Sequence, residues 1–486
     1  MIIIKYTGIK DFEYDIQGLI RSFFPGADMA TDKDIDYDIM LEVRIADESI
    51  ELKLKERSDD IKLVKSAQIE RENRKDTKNR LKRLVYDVFA EYMGKSLPWG
   101  TLSGIRPTKI TTGLLRSGMS EEDVYAHIKK EYYISDEKAE LSINISEQEL
   151  KILKDIQYEN GYSIYIGIPF CPSTCSYCSF TSYPLSRFKD KVDLYIDALC
   201  KEIEFVSERF KDKKLNTIYI GGGTPTTLEP QQMDRLLRKI EEKFEVGSLS
   251  EFTVEAGRPD SITGEKLEVI KKHGVTRISI NPQTMNEKTL RLIGRRHNVE
   301  QVKTAFNLAR EMGFDNINMD FIVGLPQETM DDVRYTMEET KKLMPDSVTV
   351  HSLAIKRAAR MNTVKEDFKD YSYVNNEDIM AMTRSYAREM GMQPYYLYRQ
   401  KNMTGNMENV GYAVDKKAGI YNILIMEEKQ TIVACGAGAS TKRVWTEPDQ
   451  DGTHRIERCE NVKDVDTYIA RIDEMIERKR KLFAEE

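Results

Sequence analysis

The feature that most constrains the fold is a regular alternation of strand-like and helix-like segments between residues 163 and 353. Apolar runs rich in β-branched residues recur six times, and helical segments separate them. The runs are Ser163–Ile168, Thr217–Gly222, Phe252–Ala256, Arg277–Asn281, Ile317–Val323 and Ser347–Leu353. Strands separated by helices pair in parallel through right-handed crossovers. The alternation therefore predicts an α/β fold, a partial (β/α)6 barrel that is two units short of a complete barrel.

The segments outside the alternation differ from it in pattern, which predicts three domains. Residues 1–150 begin with short β-like runs and continue into helical segments, so we expect an N-terminal α+β accessory domain. Residues 151–370 contain the barrel. The alternation then stops, and residues 371–486 are predicted to form an α+β C-terminal domain that covers the open side of the barrel. In the outer domains we expect Trp99 to be exposed and Gly419–Met426 to be a β-strand.

Composition sets the class of protein. The chain has 486 residues, of which 40% are hydrophobic and 32% are charged, as in an ordinary globular protein with more than one core. Its net charge of −7 disfavours a nucleic-acid binder that works by bulk electrostatics. The N-terminus, MIIIKYTGIK, reads as neither a signal peptide nor a membrane span. We expect a cytoplasmic monomer without a membrane span, in a reducing compartment that favours metal binding by cysteines over disulfides.

Three cysteines lie on one short loop directly after the first strand-like run. Cys171, Cys175 and Cys178 form a C-x3-C-x2-C pattern within YIGIPFCPSTCSYCSF. The loop is too short to join two of them in a disulfide of normal geometry. Three thiolates are one ligand short of a closed zinc site or of a cubane held wholly by protein, which suggests a cluster whose open iron binds a small molecule. The alternatives are three unrelated cysteines and a zinc site completed from elsewhere in the chain.

A glycine-rich segment follows the second strand-like run. It reads YIGGGTPTTL, from Tyr219 to Leu228. Three glycines at a strand end let a ligand approach the backbone and leave amide and carbonyl groups free to bind it. Such turns alone are weak evidence, but GGGTPT beside a three-cysteine loop in the same sheet is a much more specific combination.

With these motifs the sequence resembles the radical S-adenosylmethionine (SAM) enzymes, and among them the oxygen-independent coproporphyrinogen III oxidase family. The resemblance spans residues 163–440 and includes YIGIPFC, CSYC, GGGTPT, FTVEAGRPD, RISINPQTMNEKTLRLIGRRH and NMDFIVGLPQET. The N-terminal domain and the motif HSLAIKRAARM are most similar to the branch called HemZ-type coproporphyrinogen dehydrogenase. The resemblance implies a radical-SAM partial (β/α)6 barrel, in agreement with the alternation.

The resemblance also implies a cofactor set and the residues that hold it. Cys171, Cys175 and Cys178 would bind three irons of a [4Fe–4S] cluster, and the amino and carboxylate groups of SAM would chelate the fourth. Tyr165 and Glu255 stand at positions with a part in catalysis and in cofactor binding. The other positions that match cofactor contacts, some of them for a second SAM molecule, are Tyr177, Gly222, Gly223, Thr224, Gln283, Arg295, Asp320 and Ala354. By spacing alone, the acids among these residues are equally compatible with salt bridges on the barrel rim, and the arginine with a helix surface.

Three positions depart from the family pattern. Gly167 stands where the oxidase has a histidine two residues after the tyrosine of its strand motif. Phe180 replaces a further cysteine two residues past the triad, and the heme-chaperone branch also has phenylalanine there. That branch has a histidine before the asparagine of a C-terminal motif, where this chain has Glu408. These departures bear on the substrate and the outcome, and they leave the cluster chemistry intact.

The resemblance implies a tetrapyrrole substrate, and its carboxylates need cations nearby. Lys356, Arg357 and Arg360 follow the sixth strand at its functional end, where they are predicted to pair with propionates. The candidates for an opposite wall are Tyr395, Tyr396, Tyr398, Arg399 and Lys401. Core packing explains some of these tyrosines equally well.

The remaining cysteines and histidines are expected to be mainly structural. Cys200, Cys435 and Cys459 stand alone in the sequence and are predicted to be buried or partly buried thiols. His297, which follows GRR, and His351, on the sixth strand, are the best placed for a barrel site. A lone histidine is nevertheless more often structural than catalytic.

The reaction that the resemblance implies is the oxidative decarboxylation of coproporphyrinogen III in heme biosynthesis. An electron from the cluster would cleave SAM to a 5′-deoxyadenosyl radical. The radical would take a hydrogen from a propionate, which loses carbon dioxide and becomes a vinyl group of protoporphyrinogen IX. A flavodoxin or ferredoxin would donate the electron. Two alternatives stay open, a heme-binding chaperone without net porphyrinogen chemistry and a heme-modifying radical methyltransferase.

Overall fold

The computed structural model describes residues 1–484 except 9, 33–34, 59, 71, 105, 357–358, 365–367, 369, 401–402 and 449–453. The chain divides into two compact units, of which unit 1 comprises residues 1–147 with 398–402, and unit 2 comprises residues 148–397 with 403–486. Within the described residues, no helix has both the length and the apolar character needed to cross a membrane. The predicted domain boundaries at residues 150 and 370 stay a prediction.

Unit 1 is built on a five-stranded mixed sheet. Its strands are β1 (Ile2–Gly8), β2 (Met29–Thr31), β3 (Ile39–Ile45), β4 (Ser49–Glu56) and β5 (Ile61–Gln68). The sheet order is β2-β1-β3-β4-β5, with β1 parallel to both neighbours and β3, β4 and β5 antiparallel. The helices are α1 (Glu13–Phe23), α2 (Arg74–Met93), α3 (Thr108–Arg116), α4 (Glu121–Tyr132) and α5 (Asp136–Lys154), which spans the boundary at residue 147.

One sequence expectation in unit 1 is wrong, that for Trp99. Trp99 was expected to be exposed because its loop is rich in turn residues, yet only 1% of its surface is exposed. The guanidinium of Arg399 lies over the Trp99 ring, 5.9 Å from the ring centroid, and donates a hydrogen bond to the Leu102 carbonyl at 2.6 Å. A turn-rich loop can therefore still bury its one large aromatic side chain. Arg399 and Tyr398 cluster with unit 1, whereas Tyr395 and Tyr396 belong to unit 2, and the wall predicted from these residues stays a prediction.

Unit 2 is organised around an eleven-stranded sheet whose central strands are parallel. The six central strands are β6 (Gly161–Ile168), β9 (Lys214–Gly222), β10 (Glu251–Gly257), β11 (Arg277–Gln283), β12 (Ile317–Val323) and β13 (Ser347–Ser352). Each pairs in parallel with the next in chain order. These strands coincide with the six predicted runs. The predicted α/β class and partial (β/α)6 barrel are confirmed.

The remaining strands of unit 2 form a small pair and extend both edges of the main sheet. They are β7 (Phe170–Cys171), β8 (Tyr183–Pro184), β14 (Gln393–Tyr398), β15 (Asn409–Ala413), β16 (Thr431–Cys435), β17 (Ser440–Pro448) and β18 (His454–Glu460). The order of the main sheet is β14-β15-β13-β12-β11-β10-β9-β6-β16-β17-β18, and β7 pairs with β8 separately. β16 is parallel to β6, so it adds a seventh parallel strand beside the first.

Helices connect the parallel strands and bury one apolar face each. They are α6 (Val192–Arg209), α7 (Pro230–Lys243), α8 (Gly264–Lys272), α9 (Glu287–Leu292), α10 (Val299–Glu311), α11 (Met330–Leu343), α12 (Arg360–Thr363), α13 (Glu377–Glu389), α14 (Ile420–Glu427), α15 (Val465–Ala470) and α16 (Ile472–Leu482). In α6, the predicted stripe that includes Tyr195, Leu199 and Ile203 is fully buried. The helical period of the apolar positions therefore predicted the buried face correctly.

The expectation that Gly419–Met426 is a β-strand is wrong, because this stretch forms helix α14. A short apolar run fits a buried strand and a buried helix equally well, and only its tertiary partners decide between them. Here the buried carboxylate of Glu251 accepts a hydrogen bond from the Ile420 N–H at 2.6 Å. A carboxylate at this position satisfies one of the free N–H groups of the first helical turn and favours the helix.

Candidate functional site

The carboxyl ends of the parallel strands meet at one edge of the barrel, and the cysteine loop begins there. β6 ends at Ile168, and Cys171 is the last residue of β7, which pairs with β8. Cys171 is buried, whereas Cys175 and Cys178 are half-buried. Among the described residues, no three His, Cys, Asp or Glu side chains converge in a way that could hold a metal ion. The three thiols therefore share one loop at the barrel mouth, but their sulfur atoms are not arranged to bind a single metal ion.

The glycine-rich turn after β9 packs directly against Cys171. The N–H of Thr224 donates to the Phe170 carbonyl at 2.7 Å, and the Thr224 hydroxyl donates to the Cys171 sulfur at 3.6 Å. A Cβ at Gly223 would lie 2.5 Å from the Phe170 carbonyl oxygen and 3.0 Å from the Cys171 sulfur. Gly222 has φ 114°, a conformation that favours glycine. The turn therefore approaches the cysteine loop so closely that only glycine fits at position 223, because any side chain there would collide with the Phe170 carbonyl.

The electrostatics of the cysteines fit a bound cluster. Burial raises the pKa of Cys171 to about 11, with smaller contributions in the same direction from Cys175 and Cys178 and an opposing one from the Thr224 hydroxyl. Burial also raises the pKa of Cys178. Iron binds the thiolate form, so a bound cluster would compensate the charges that the protein alone disfavours. The three thiols on one loop at the barrel mouth therefore fit a [4Fe–4S] cluster.

Arg295 joins the middle of the cysteine loop to β11. Its Nη1 donates to the Asn281 carbonyl at 2.8 Å, and its Nη2 donates to the Tyr177 hydroxyl at 2.9 Å. The N–H of Ser176 donates to the Ile293 carbonyl at 3.0 Å, which secures the same stretch of the loop. Arg295 is buried, and its Nε has no hydrogen-bond partner. It thus holds the loop and keeps a free donor, which fits its predicted position at the cofactor.

Each of the six parallel strands has a partly exposed polar residue near its middle or carboxyl end, and on every strand except β9 it is the single residue that is not buried. These residues are Tyr165 on β6, Tyr219 on β9, Glu255 on β10, Asn281 on β11, Asp320 on β12 and His351 on β13. All six carry a polar group. The interior is therefore an open, polar space at the mouth where the cysteine loop lies, and it fits a polar cofactor such as SAM.

Three stacked tyrosines line one side of this interior. The rings of Tyr219 and Tyr421 lie 4.5 Å apart with an interplanar angle of 22°, and the rings of Tyr165 and Tyr219 lie 6.2 Å apart at 16°. Tyr165 and Tyr219 are paired across β6 and β9, so their contact follows from the strand register. Tyr219 and Tyr421 were not predicted as site residues. The alternation of strand side chains would have placed Tyr219 inward, but Tyr421 depends on the misassigned helix α14.

Glu255 is the most perturbed acid of the interior. Burial, with a smaller contribution from the nearby Asp320, raises its pKa to about 7, while hydrogen bonds from Tyr219 and the Gly222 backbone oppose the shift. The Tyr219 hydroxyl donates to its Oε1. In the structure Glu255 forms no salt bridge among the described residues. The rim salt bridge considered for it is therefore not observed, and the carboxyl faces the open interior.

Three other predicted cofactor positions are Gln283 at the end of β11, Asp320 in the middle of β12 and Ala354 just after β13. Gln283 is buried with φ 72°, and its Oε1 has no hydrogen-bond partner. Asp320 accepts a hydrogen bond from Asn318 at 2.7 Å. Ala354 forms an isolated antiparallel bridge with Met403. The strained backbone and free oxygen of Gln283 mark a position where the protein leaves an acceptor available for a ligand.

The two histidines behave differently from catalytic acids or bases. His297 is buried, and burial and the adjacent Arg295 lower its pKa to about 3, so it stays neutral. Burial lowers the pKa of His351, and Asp320 opposes that shift. Cys435 and Cys459 are buried and Cys200 is half-buried, as predicted.

The predicted substrate cations lie only partly within the described chain. The ammonium of Lys356 lies 5.6 Å from the centroid of the Phe180 ring, and Phe180 is 70% exposed. Arg360 is exposed at the start of α12. Arg357 and Lys401 lie outside the described residues. The structure thus brings one predicted cation next to an exposed aromatic ring that is two residues from Cys178.

Comparison with known proteins identifies relatives over the barrel and over the whole chain. A radical SAM superfamily model matches residues 165–340. The oxygen-independent coproporphyrinogen-III oxidase-like protein HemZ of Bacillus subtilis is 39% identical over 491 residues, which covers 98% of this chain and 97% of that protein. The heme chaperone HemW of the same organism is 39% identical over 194 residues, or 40% of this chain and 50% of the chaperone.

More distant relatives include an oxidase from another organism, and one solved structure has a similar fold. The oxygen-independent coproporphyrinogen III oxidase of Escherichia coli K12 is 33% identical over 196 residues, which covers 40% of this chain and 42% of the oxidase. The solved structure of the Escherichia coli coproporphyrinogen III oxidase HemN, described as a radical SAM enzyme, matches with a TM-score of 0.52 and 23% identity. That match covers 66% of this chain and 71% of HemN, and it supports the fold alone.

Proposed function

Because the chain belongs to the family of oxygen-independent coproporphyrinogen III oxidase-like radical SAM proteins, we propose that it decarboxylates coproporphyrinogen III anaerobically. Two propionates would become the vinyl groups of protoporphyrinogen IX, a step of heme biosynthesis. Each propionate would lose one hydrogen atom, one further electron and carbon dioxide. The observation that supports this reading most is the similarity to the HemZ protein along almost the entire length of both chains.

The family implies a [4Fe–4S] cluster and SAM, which together supply a 5′-deoxyadenosyl radical when bound. In the proposal, Cys171, Cys175 and Cys178 hold the cluster. The carboxyl of Glu255, in its ionised form, accepts a hydrogen bond from the amino group of SAM. Arg295 uses its free Nε to orient an anionic group in the same interior. The stacked tyrosines narrow that interior and help to exclude water from the reacting atoms.

Other family positions complete the proposed cofactor site. Tyr165 lines the interior beside the glycine-rich turn, and Thr224 holds Cys171 through its hydroxyl. Gln283 and Asp320 offer acceptors on the neighbouring strands β11 and β12. A second SAM molecule in this part of the interior, a flavodoxin or ferredoxin as electron donor, and a monomeric state belong to the proposal as well.

The substrate end of the proposed site lies beside the cysteine loop. The exposed ring of Phe180 provides an apolar platform for a tetrapyrrole, and Lys356 stands over that ring. Arg360 adds a second exposed cation on α12. Together they offer an apolar contact and two positive charges, which is the chemistry that a large ring with propionate groups requires. Arg357 is proposed to join them.

A second candidate function is that of a heme-binding chaperone. Two sequence observations favour it: Phe180 replaces the extra cysteine of the oxidases, and Gly167 replaces their histidine. The HemW chaperones also resemble the barrel segment at 39% identity. Two observations argue against it. Glu408 replaces the C-terminal histidine of the chaperone branch, and the region of this chain that matches HemW covers only half of the chaperone. A heme-modifying radical methyltransferase is the third candidate.

An anaerobic assay of the reconstituted full-length protein with coproporphyrinogen III, SAM and a reductant tests these functions against each other. We expect carbon dioxide release and protoporphyrinogen IX. Tight heme binding without turnover would instead identify a chaperone, and an opened, methylated tetrapyrrole would identify a methyltransferase. A variant with Cys175→Ala serves as the control, because it should retain the fold and lose the cluster.

A further inference from the structure

Arg258 is a buried charge beside the cysteine loop that the cofactor positions discussed above leave without a role. It follows β10 directly, and only 3% of its surface is exposed. Its Nε and Nη2 donate to the two carboxylate oxygens of Asp260 at 2.9 and 2.6 Å. A bidentate pair of this kind fixes the plane of the guanidinium. Arg258 is therefore a rigid cation at the carboxyl edge of the barrel.

The free corner of this guanidinium binds the loop between the first two cluster cysteines. Nη1 of Arg258 donates to the Ser173 carbonyl at 3.0 Å and to the Ser173 hydroxyl at 2.7 Å. Ser173 lies midway between Cys171 and Cys175 in the sequence. One side chain thus satisfies three different acceptor groups, two from Ser173 and the carboxylate of Asp260. Only the planar fork of arginine can do this, because a lysine ammonium has a single donor atom.

The charge of Arg258 also acts on the ligands themselves. It lies close enough to Cys171 to lower the pKa of that thiol against the effect of burial. Asp260 balances part of this charge at 2.6 Å, whereas His297, 3.9 Å from Asp260, stays neutral. Arg295 sits on the other side of the loop, at Tyr177. The bound cluster with three thiolates gains one negative charge on reduction, so a nearby cation favours the reduced form.

We propose that Arg258 is a positioning residue of the cluster: it holds Ser173 so that Cys171 and Cys175 face the cluster site, and its charge favours the reduced cluster. Asp260 restrains the guanidinium and weakens that charge. The two residues therefore act on the reduction potential in opposite directions. The proposal depends on the presence of a [4Fe–4S] cluster and is independent of which tetrapyrrole the protein handles.

The test measures the cluster rather than turnover. The full-length protein is reconstituted anaerobically, and the midpoint potential is determined by a redox titration followed by electron paramagnetic resonance, without SAM. We expect Arg258→Gln to lower the equilibrium ratio of reduced to oxidised cluster about tenfold at fixed potential, which is about 59 mV for one electron. We expect Asp260→Asn to shift the potential in the opposite direction. A purely structural role would not produce shifts of opposite sign.

A second readout separates the charge of Arg258 from its geometry. Arg258→Lys keeps the charge and loses the fork, so its potential should stay close to that of the wild type while a chelator removes its iron about tenfold faster. Arg310→Gln is the matched control. Arg310 also contacts a backbone carbonyl, that of Phe314, and a carboxylate, that of Asp346, but it lies at the amino-terminal ends of the strands, away from the cysteine loop.

The same variants define the results that would overturn the proposal. Unchanged potentials in both Arg258→Gln and Asp260→Asn would eliminate the electrostatic part. Iron loss from Arg258→Lys at the rate of Arg310→Gln would eliminate the positioning part. If the Arg258→Gln variant takes up no iron at all, the Arg258→Lys and Asp260→Asn variants still decide the question, because each keeps a cationic side chain at position 258 beside the loop.

Discussion

At the scale of single residues, Glu255 has the surroundings with the clearest chemical consequence. Its carboxyl faces the open interior, and burial raises its pKa to about 7. A carboxyl with this pKa is about half ionised at neutral pH. In the proposed site the amino group of SAM requires the ionised form as an acceptor, so cofactor binding and proton release would be coupled at this residue.

The first prediction is that SAM binds more tightly as pH rises through 7. Below the raised pKa, Glu255 carries a proton that must leave before the carboxylate can accept a hydrogen bond from the amino group of SAM, which costs up to about tenfold in affinity per pH unit. Calorimetric titration of the reconstituted protein at pH 6, 7 and 8 measures this slope. Glu255→Gln should flatten it, and Asp155→Asn, an exposed acid on the surface, should not. A flat profile in the wild-type protein would contradict the proposed role.

The second prediction concerns the cluster ligands. Cys171→Ala, Cys175→Ala or Cys178→Ala should abolish the visible absorbance of the cluster and all SAM cleavage. The three other cysteines provide the control, and their alanine variants should retain about four irons per chain, the content of one [4Fe–4S] centre. These control residues are Cys200, Cys435 and Cys459. Iron loss in a control variant would show that the ligands have been assigned incorrectly.

Some site residues could be predicted from the sequence and others could not. The triad is predictable because its three thiols lie on one short loop. Tyr219 follows from strand alternation once its register with Tyr165 is known. The cysteine-loop partners of the two arginines are distant in the sequence: Tyr177 is 118 residues from Arg295, and Ser173 is 85 residues from Arg258. No local pattern encodes such contacts. Long-range hydrogen bonds depend on the register of the whole sheet.

At the scale of secondary-structure elements, the C-terminal helices are joined to the barrel by a buried ion pair. Lys479 on α16 donates to Glu202 on α6 at 2.6 Å, and both side chains have no exposed surface. Glu202 also accepts hydrogen bonds from Asn461, Tyr468 and the backbone N–H of Gly436. The turn after β16 is thereby held beside β6, where the Tyr195 hydroxyl donates to the Gly167 carbonyl at 2.6 Å.

The third prediction is that Lys479→Met destabilises the protein strongly. The change leaves Glu202 buried without its counter-ion, which costs about 3–5 kcal/mol of unfolding free energy. Urea denaturation of the apoprotein measures the loss. The double variant Glu202→Gln with Lys479→Met should recover part of it, because no buried charge remains. Lys341→Met is the control, since its pair with Glu389 is exposed to solvent, which screens the attraction, and removing it should change the free energy of unfolding little.

Equal losses of unfolding free energy in Lys479→Met and Lys341→Met would contradict this interpretation of α16.

Among the secondary-structure elements, some were predictable from sequence patterns and others were not. The six barrel strands were predictable because strand and helix periods alternate over almost 200 residues. The helix α14 was not predictable, because an apolar stretch of eight residues has no period of its own and its capping carboxylate comes from Glu251.

At the scale of the whole molecule, charge and fold place different limits on function. The chain has a net charge of −7, yet the proposed substrate is an anion with four carboxylates. Binding of this substrate would therefore depend on a local group of cations rather than on the electrostatic field of the whole protein.

The sequence predicted the barrel of unit 2. It did not predict that segment 398–402 clusters with unit 1, because compactness depends on packing between distant segments.

The final prediction follows from this contrast between the acidic protein and its anionic substrate. If Lys356, Arg357 and Arg360 pair with propionates, replacing all three with methionine should weaken tetrapyrrole binding. Each shielded pair contributes about 1.5–3 kcal/mol, or about ten- to a hundred-fold in affinity. Binding of coproporphyrin III, the stable oxidised analogue, is followed by absorbance at low and high salt, and the salt dependence should decrease in the variant.

SAM cleavage without substrate should persist in the same triple variant, because the cysteine loop and Glu255 lie on other strands. Arg384→Met, on the helix α13, provides a control for the loss of a positive charge elsewhere in unit 2. An unchanged affinity for coproporphyrin III in the triple variant would eliminate the cation cluster. Loss of both binding and SAM cleavage would mean that these residues support the fold of the barrel mouth instead of contacting the substrate.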